Sequence, residues 1–123
     1  MLKFYVCPVC GNMVTFVENT GIPVMCCGQN MEEMVPGTTD AAVEKHVPVV
    51  EIEGKKVTVK VGEVEHPMTE AHLIKFIAIE TKQGSQIKYL TAEDKPVAEF
   101  VLSEGDEFVA AYEYCNLHGL WKK

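Results

Sequence analysis

Nine side chains in this 123-residue sequence can bind a metal through a thiol sulfur or an imidazole nitrogen, and they fall into two groups. Cys7, Cys10, Cys26 and Cys27 crowd the first quarter of the chain. His46, His66, His72, Cys115 and His118 are spread over the remainder, and no cysteine or histidine lies outside the two groups. Four soft thiolates suit a tetrahedral structural or redox metal, whereas four imidazoles with one thiolate suit a reactive iron. The partition predicts two metal centres of different chemistry in one small protein.

In the first group, the Cys7-Pro8-Val9-Cys10 spacing lets a tight turn aim two sulfurs and the neighbouring amides at one ion. Cys26 and Cys27 are adjacent, and adjacent residues of an extended chain point to opposite faces. Sharing an ion therefore demands a kinked backbone, which Gly28 helps to supply. A disulfide framework fits poorly, because the five cysteines are odd in number and a bridge between neighbours would be strained. Spacing alone favours a structural zinc at this site and leaves iron open.

The second group is weaker residue by residue, since a single histidine is more often an ordinary core or surface side chain. His66 stands before Pro67, which holds it extended. Cys115-Asn116-Leu117-His118 places a thiolate and an imidazole on one turn, and Gly119 lets the chain leave sharply. Glu44 and Lys45 precede His46 and put a carboxylate and a cation within reach of any ion held there. Without that context they would read as a solvated pair on a short helix.

These donors need elements to hold them. Residues 1–36 are too few to bury much surface and call for a metal, disulfides or a partner chain, while residues 37–123 can build a core of their own. In the first segment, Lys3–Val6 and Met13–Val17 read as strands between turns. Pro36-Gly37-Thr38-Thr39 reads as the linker, with Thr39 capping a short helix through Asp40–Val43. Beyond Pro48 the pattern is β. Val57, Val59 and Val61 alternate with polar residues, and Gly54 separates that run from Val49–Ile52 as in a hairpin. Leu73–Thr81, Gln86–Leu90, Ala98–Leu102 and Glu107–Tyr114 supply further strands. Six or seven short strands without a long helix predict an immunoglobulin-like antiparallel β-sandwich, so the fold class is mainly β. A net charge of −7 argues against nucleic acid or an anionic membrane as partner. No apolar run approaches the roughly 20 residues of a membrane span. The opening residues lack the apolar stretch of an export signal, which places the chain in the cytoplasm.

Taken together, Cys7-Pro8-Val9-Cys10-Gly11-Asn12, Val24-Met25-Cys26-Cys27-Gly28, Glu44-Lys45-His46-Val47-Pro48, His66-Pro67-Met68, His72 and the run from Glu113 to Lys122 give the sequence a family look. It resembles the desulfoferrodoxins, superoxide reductases with two iron centres, over nearly its whole length. The resemblance implies a desulforedoxin-like iron held by Cys7, Cys10, Cys26 and Cys27 in domain 1–36. It also implies a catalytic iron in the sandwich of 37–123, with His46, His66, His72 and His118 equatorial and Cys115 axial. The activity implied is one-electron reduction of superoxide to hydrogen peroxide without release of dioxygen. In that reading Lys45 attracts superoxide, and Glu44 is the carboxylate that takes the open iron position after product leaves. A rubredoxin-like electron donor and a homodimer are implied as partners. Two other readings compete: an electron carrier without substrate, and a zinc-stapled interaction module.

Overall fold

The computed structural model describes residues 1–39 and 41–123, which pack as two units, Met1–Val35 and Pro36–Lys123. Among the described residues the first unit holds only two-residue strands: β1 (Tyr5–Val6), β2 (Met13–Val14), β3 (Met25–Cys26), β4 (Gln29–Asn30) and β5 (Glu32–Glu33). They form one antiparallel sheet in the order β2-β1-β5 and a separate β3–β4 hairpin. The strands expected over Lys3–Val6 and Met13–Val17 are thus much shorter. The reason is local, since the Thr15 hydroxyl donates to the Lys3 carbonyl at 2.7 Å and occupies an acceptor the ladder would otherwise use. Phe4, Cys7 and Met31 are the buried apolar side chains of this unit. So small a core cannot offset the entropy of ordering some 35 residues, each costing about 1–2 kcal/mol, which is why the thiols matter to folding.

The second unit is a sandwich. After a short helix α1 (Val43–His46) come β6 (Pro48–Glu53), β7 (Lys56–Val61), β8 (Ile74–Thr81), β9 (Gly84–Tyr89), β10 (Val97–Val101), β11 (Phe108–Cys115) and β12 (Gly119–Lys122). They build two antiparallel sheets, β10-β7-β6 and β12-β11-β8-β9. The alternation read in the sequence holds: Val57, Val59 and Val61 are buried, while Lys56 and Lys60 face solvent. With Ile77 and Ile79 of β8, Phe100 of β10 and Ala111 of β11 they form one continuous core.

A register slip between Tyr114 and Cys115 skips Lys75, so that Cys115 pairs with Ile74. This bulge returns Ile74 to the core side and fixes Cys115, fully buried, at the end of its strand.

Two local expectations fail. The helix does not start from a Thr39 cap. It runs over Val43–His46, with Ala42 at its N-cap and no side-chain cap, so His46 is its last residue rather than part of an extended segment. Asp40, placed in the expected helix, lies outside the described residues. Strand β12 was not anticipated, although the turn read at Cys115–His118 closes the hairpin that pairs it with β11.

Trp121 is the sole tryptophan and lies in β12, so its fluorescence reports on this unit. Ile77→Ala should lower stability in urea by about 3 kcal/mol through lost burial and a residual cavity. Val101→Ala, at a side chain 69% exposed, should change it by no more than about 0.5 kcal/mol.

Candidate metal centres

The four sulfurs of the first unit converge from two turns. Cys7 Sγ accepts hydrogen bonds from the amides of Val9 and Cys10, both at 3.4 Å. Across the gap Cys10 Sγ lies 3.6 Å from Cys26 Sγ, and Cys26 Sγ lies 4.0 Å from Cys27 Sγ. All four sulfurs fall within 4.8 Å of one another. The kink that adjacent cysteines require is present. Cys27 has φ +53° and Gly28 φ +76°, the two centre positions of the β3–β4 hairpin. Positive φ at both positions is a type I′ trait that usually selects Asn-Gly. A cysteine accepts that strained conformation here, and its sulfur gains the same side as that of Cys26.

The electrostatics show what the cluster needs. The Cys10 amide, chiefly, draws the Cys7 thiol down to about 6. Crowding by Cys10, Cys7 and Cys26 pushes the Cys27 thiol up to about 12. Four thiolates in this space repel one another, so full deprotonation requires a cation among them. The donor set fits a soft or borderline metal.

The second cluster gathers donors from separate parts of the sandwich. His46 ends α1, His66 and His72 lie on the β7–β8 connection, Cys115 ends β11 and His118 sits in the following turn. Their donor atoms also fall within 4.8 Å of one another. His46 and His66 are 2% and 1% exposed. Each turns Nδ1 onto a carbonyl, His46 onto Ala42 O at 2.8 Å and His66 onto Pro67 O at 2.7 Å. A carbonyl only accepts, so both Nδ1 atoms carry the proton and both Nε2 atoms present lone pairs. Those two Nε2 atoms face each other at 3.3 Å, and His46 Nε2 lies 3.1 Å from His118 Nδ1. His72 Nε2 is buried without a hydrogen-bond partner among the described residues.

Burial, opposed by the carbonyl bonds, holds His46 below its ordinary value and His66 down to about 4. These two imidazoles are therefore neutral near pH 7. Cys115 is raised by burial and opposed by the amides of Leu117 and His118, which point at its sulfur. Imidazole nitrogens facing one another beside a buried thiol make a donor set that can hold a metal ion, with Nδ1–H to carbonyl bonds fixing the tautomers of His46 and His66.

Of three residues that the sequence reading left without a role, two hold this cluster in place and the third is buried against it. Asn116 Oδ1 accepts from Leu73 N at 3.0 Å while its Nδ2 donates to Ala71 O at 3.0 Å, tying the Cys115 turn to the His72 loop. Trp121 Nε1 donates to His118 O at 3.0 Å, and its ring lies 5.1 Å from that of His46. Glu113 is fully buried on the Cys115 face of β11, both carboxylate oxygens lack a partner among the described residues, and burial raises its pKa to about 9. It is the one acid in an otherwise apolar alternation with Ala111 and Cys115, a signal available in the sequence.

Glu44 and Lys45 part company. Lys45 lines a hollow of about 520 Å³ with His66, Pro67 and Met68. Its charge contributes, after burial and neighbouring imidazoles, to the lowered pKa of His46 and His72. Glu44 lines a different hollow, with Val43, Val47 and Glu63.

Asn116→Ala removes both side-chain bonds and should destabilise the second unit by about 1–2 kcal/mol. Metal titration of that variant should also show about tenfold weaker binding at the five-donor cluster, with the four-thiol cluster unchanged.

Comparison with known proteins gives the same picture. The desulfoferrodoxin family model matches residues 38–123. A desulfoferrodoxin homolog of Archaeoglobus fulgidus is 46% identical over 99% of this chain and 96% of its own length. The desulfoferrodoxin of Nitratidesulfovibrio vulgaris is 44% identical over 98% of this chain and 94% of its own. Among solved structures, the superoxide reductase of Treponema pallidum superposes with a TM-score of 0.84 at 39% identity, covering 100% of this chain and 98% of that one. A superoxide reductase of Giardia intestinalis matches at a TM-score of 0.57 and 34% identity over 65% of this chain and 95% of that one. With its four-thiol set and its set of four imidazoles and a thiol, each fitted to an iron, this chain belongs to the desulfoferrodoxin family.

Proposed function

We propose that the protein is a two-iron superoxide reductase. It converts superoxide, one electron and two protons into hydrogen peroxide without releasing dioxygen, as an antioxidant defence. The observation that carries the reading is the convergence of His46, His66, His72, Cys115 and His118 with their donor atoms within 4.8 Å, beside the hollow that Lys45 lines with His66. Four neutral imidazoles and one thiolate would hold an iron that supplies a single electron to superoxide and leaves room for a small ligand.

The chain's own residues do the rest. Lys45 forms no ion pair among the described residues, whereas Lys3, Lys55, Lys56, Lys60 and Lys82 are each matched to a glutamate. It stands beside His66 in a hollow also lined by Glu65, Asp94 and Lys95, a local cation in a protein of net charge −7 that would otherwise repel the substrate anion. Burial of His46, His66 and Cys115 keeps bulk water from the donors. For Glu44 to act as the carboxylate that follows product release, its side chain must leave the hollow it shares with Val47. In the first unit, Cys7, Cys10, Cys26 and Cys27 would hold the second iron, making residues 1–36 a desulforedoxin-like domain and 37–123 the catalytic one. The electron comes from outside the chain, and a rubredoxin-like protein is the donor we assign. A homodimer in the cytoplasm completes the reading. No helix is long and apolar enough to cross a membrane.

Pulse radiolysis of the iron-loaded protein tests this. Lys45→Ala should slow superoxide capture about tenfold at low ionic strength and flatten its salt dependence. Equal rates for both proteins across salt concentrations would remove Lys45 from the mechanism. Cys115→Ser should abolish the sulfur-to-iron charge-transfer band and most activity. Dioxygen release, or recovery of zinc alone in a colourless protein, would sink the reductase assignment.

A further inference from the structure

His46 is the donor with the least support from its own element. Helix α1 is four residues long and lacks a side-chain cap. At its ends Lys45 N donates to Ala42 O at 3.2 Å and Val47 N to Val43 O at 3.0 Å. A single helical turn does not hold itself in water. The imidazole is also bonded back to Ala42 O, so any shift of the turn carries the ring with it. Something outside the helix must set how deeply His46 sits.

Two glycines stand at the places where that could happen. Of the nine glycines, all among the described residues, Gly62 and Gly119 alone would bring an added methyl group closer than 3 Å to another part of the chain. A methyl group on Gly62 would lie 2.6 Å from Val64 O, 2.7 Å from Glu44 O and 2.7 Å from the carbonyl carbon of Lys45. These are backbone atoms that cannot swing aside. The Val64 amide donates to Glu44 O at 3.0 Å across the same seam, joining the helix to the connection that carries His66. On the other side, a methyl on Gly119 would lie 2.9 Å from Thr39 Oγ1. There Gly37 N donates to Leu120 O at 2.8 Å and ties the approach to α1 to the strand that follows His118.

We infer that Gly62 and Gly119 are positioning residues for the five-donor centre: they form two close-approach seams that clamp the His46-bearing stretch between the His66 loop and the Cys115–His118 turn. Each seam lies behind a donor and touches none of the ligand atoms. Seating α1 further out by the width of a methyl group would pull His46 Nε2 from the other donors and move Lys45 with it. The inference rests on the proposed ligand set.

Cobalt(II) titration of the metal-free full-length chain, followed by its visible bands, tests the clamp, with thermal unfolding measured alongside. Gly54 serves as control, having φ +62° but no neighbour within 4 Å of a built methyl. Gly54→Ala and Gly62→Ala both place a side chain at positive φ. Only Gly62→Ala should also weaken cobalt at the five-donor centre, by about tenfold or more, and shift its sulfur-to-cobalt band. The four-thiol cobalt spectrum should be unchanged in both. Gly119→Ala should show a smaller loss that Thr39→Ala restores in the double variant, because the obstructing atom is a removable side-chain oxygen. That second cycle is readable even where Gly62→Ala fails to fold. Cobalt affinity and spectrum alike in Gly62→Ala and Gly54→Ala would overturn the Gly62 seam, and no recovery by Thr39→Ala would overturn the Gly119 seam. Absence of a one-thiolate cobalt spectrum in the unsubstituted chain would overturn the ligand set and the clamp together.

Discussion

Two imidazole nitrogens that both present lone pairs face each other at 3.3 Å in a buried space, because each histidine has committed its only proton to a carbonyl. Such an arrangement is repulsive unless a cation lies among the donors, and the remaining architecture serves to hold it. The sandwich ladders supply rigidity that a loop-built site would lack. The register slip at Lys75 seats Cys115 at the end of β11, Asn116 ties that end to the His72 loop, and Trp121 braces the turn carrying His118. The fold stores the cost of converging donors in a hydrogen-bonded frame, and the metal recovers it on binding.

The thiol cluster follows the same logic on a weaker scaffold. Its strands are two residues long and its buried apolar set is small, so the frame cannot impose convergence by packing. Backbone conformation does it instead, through the amides that cradle Cys7 and the left-handed Cys27. In the sandwich the protein holds the metal. In the first unit the metal holds the protein.

Separate hollows for Glu44 and Lys45 give the two neighbours different physical standing, although they are adjacent in sequence. Lys45 already acts on the site through its field, which reaches His46 and His72 without contact. Glu44 instead lies with Val43, Val47 and Glu63.

The sequence by itself determined the inventory of donors, their division into thiols and imidazoles, and the β-sandwich. Residue type fixes what can bind a metal, and the alternation of Val57, Val59 and Val61 fixes which face is buried. Even the adjacent Cys26 and Cys27 announced their kink. Only the tertiary structure decided that the Nε2 atoms of His46 and His66 meet, that Cys115 pairs with Ile74, and that Asn116 and Glu113 lie against the centre. These depend on contacts between residues as far apart as His46 and His66, or Leu73 and Asn116. Local propensity carries no information about either.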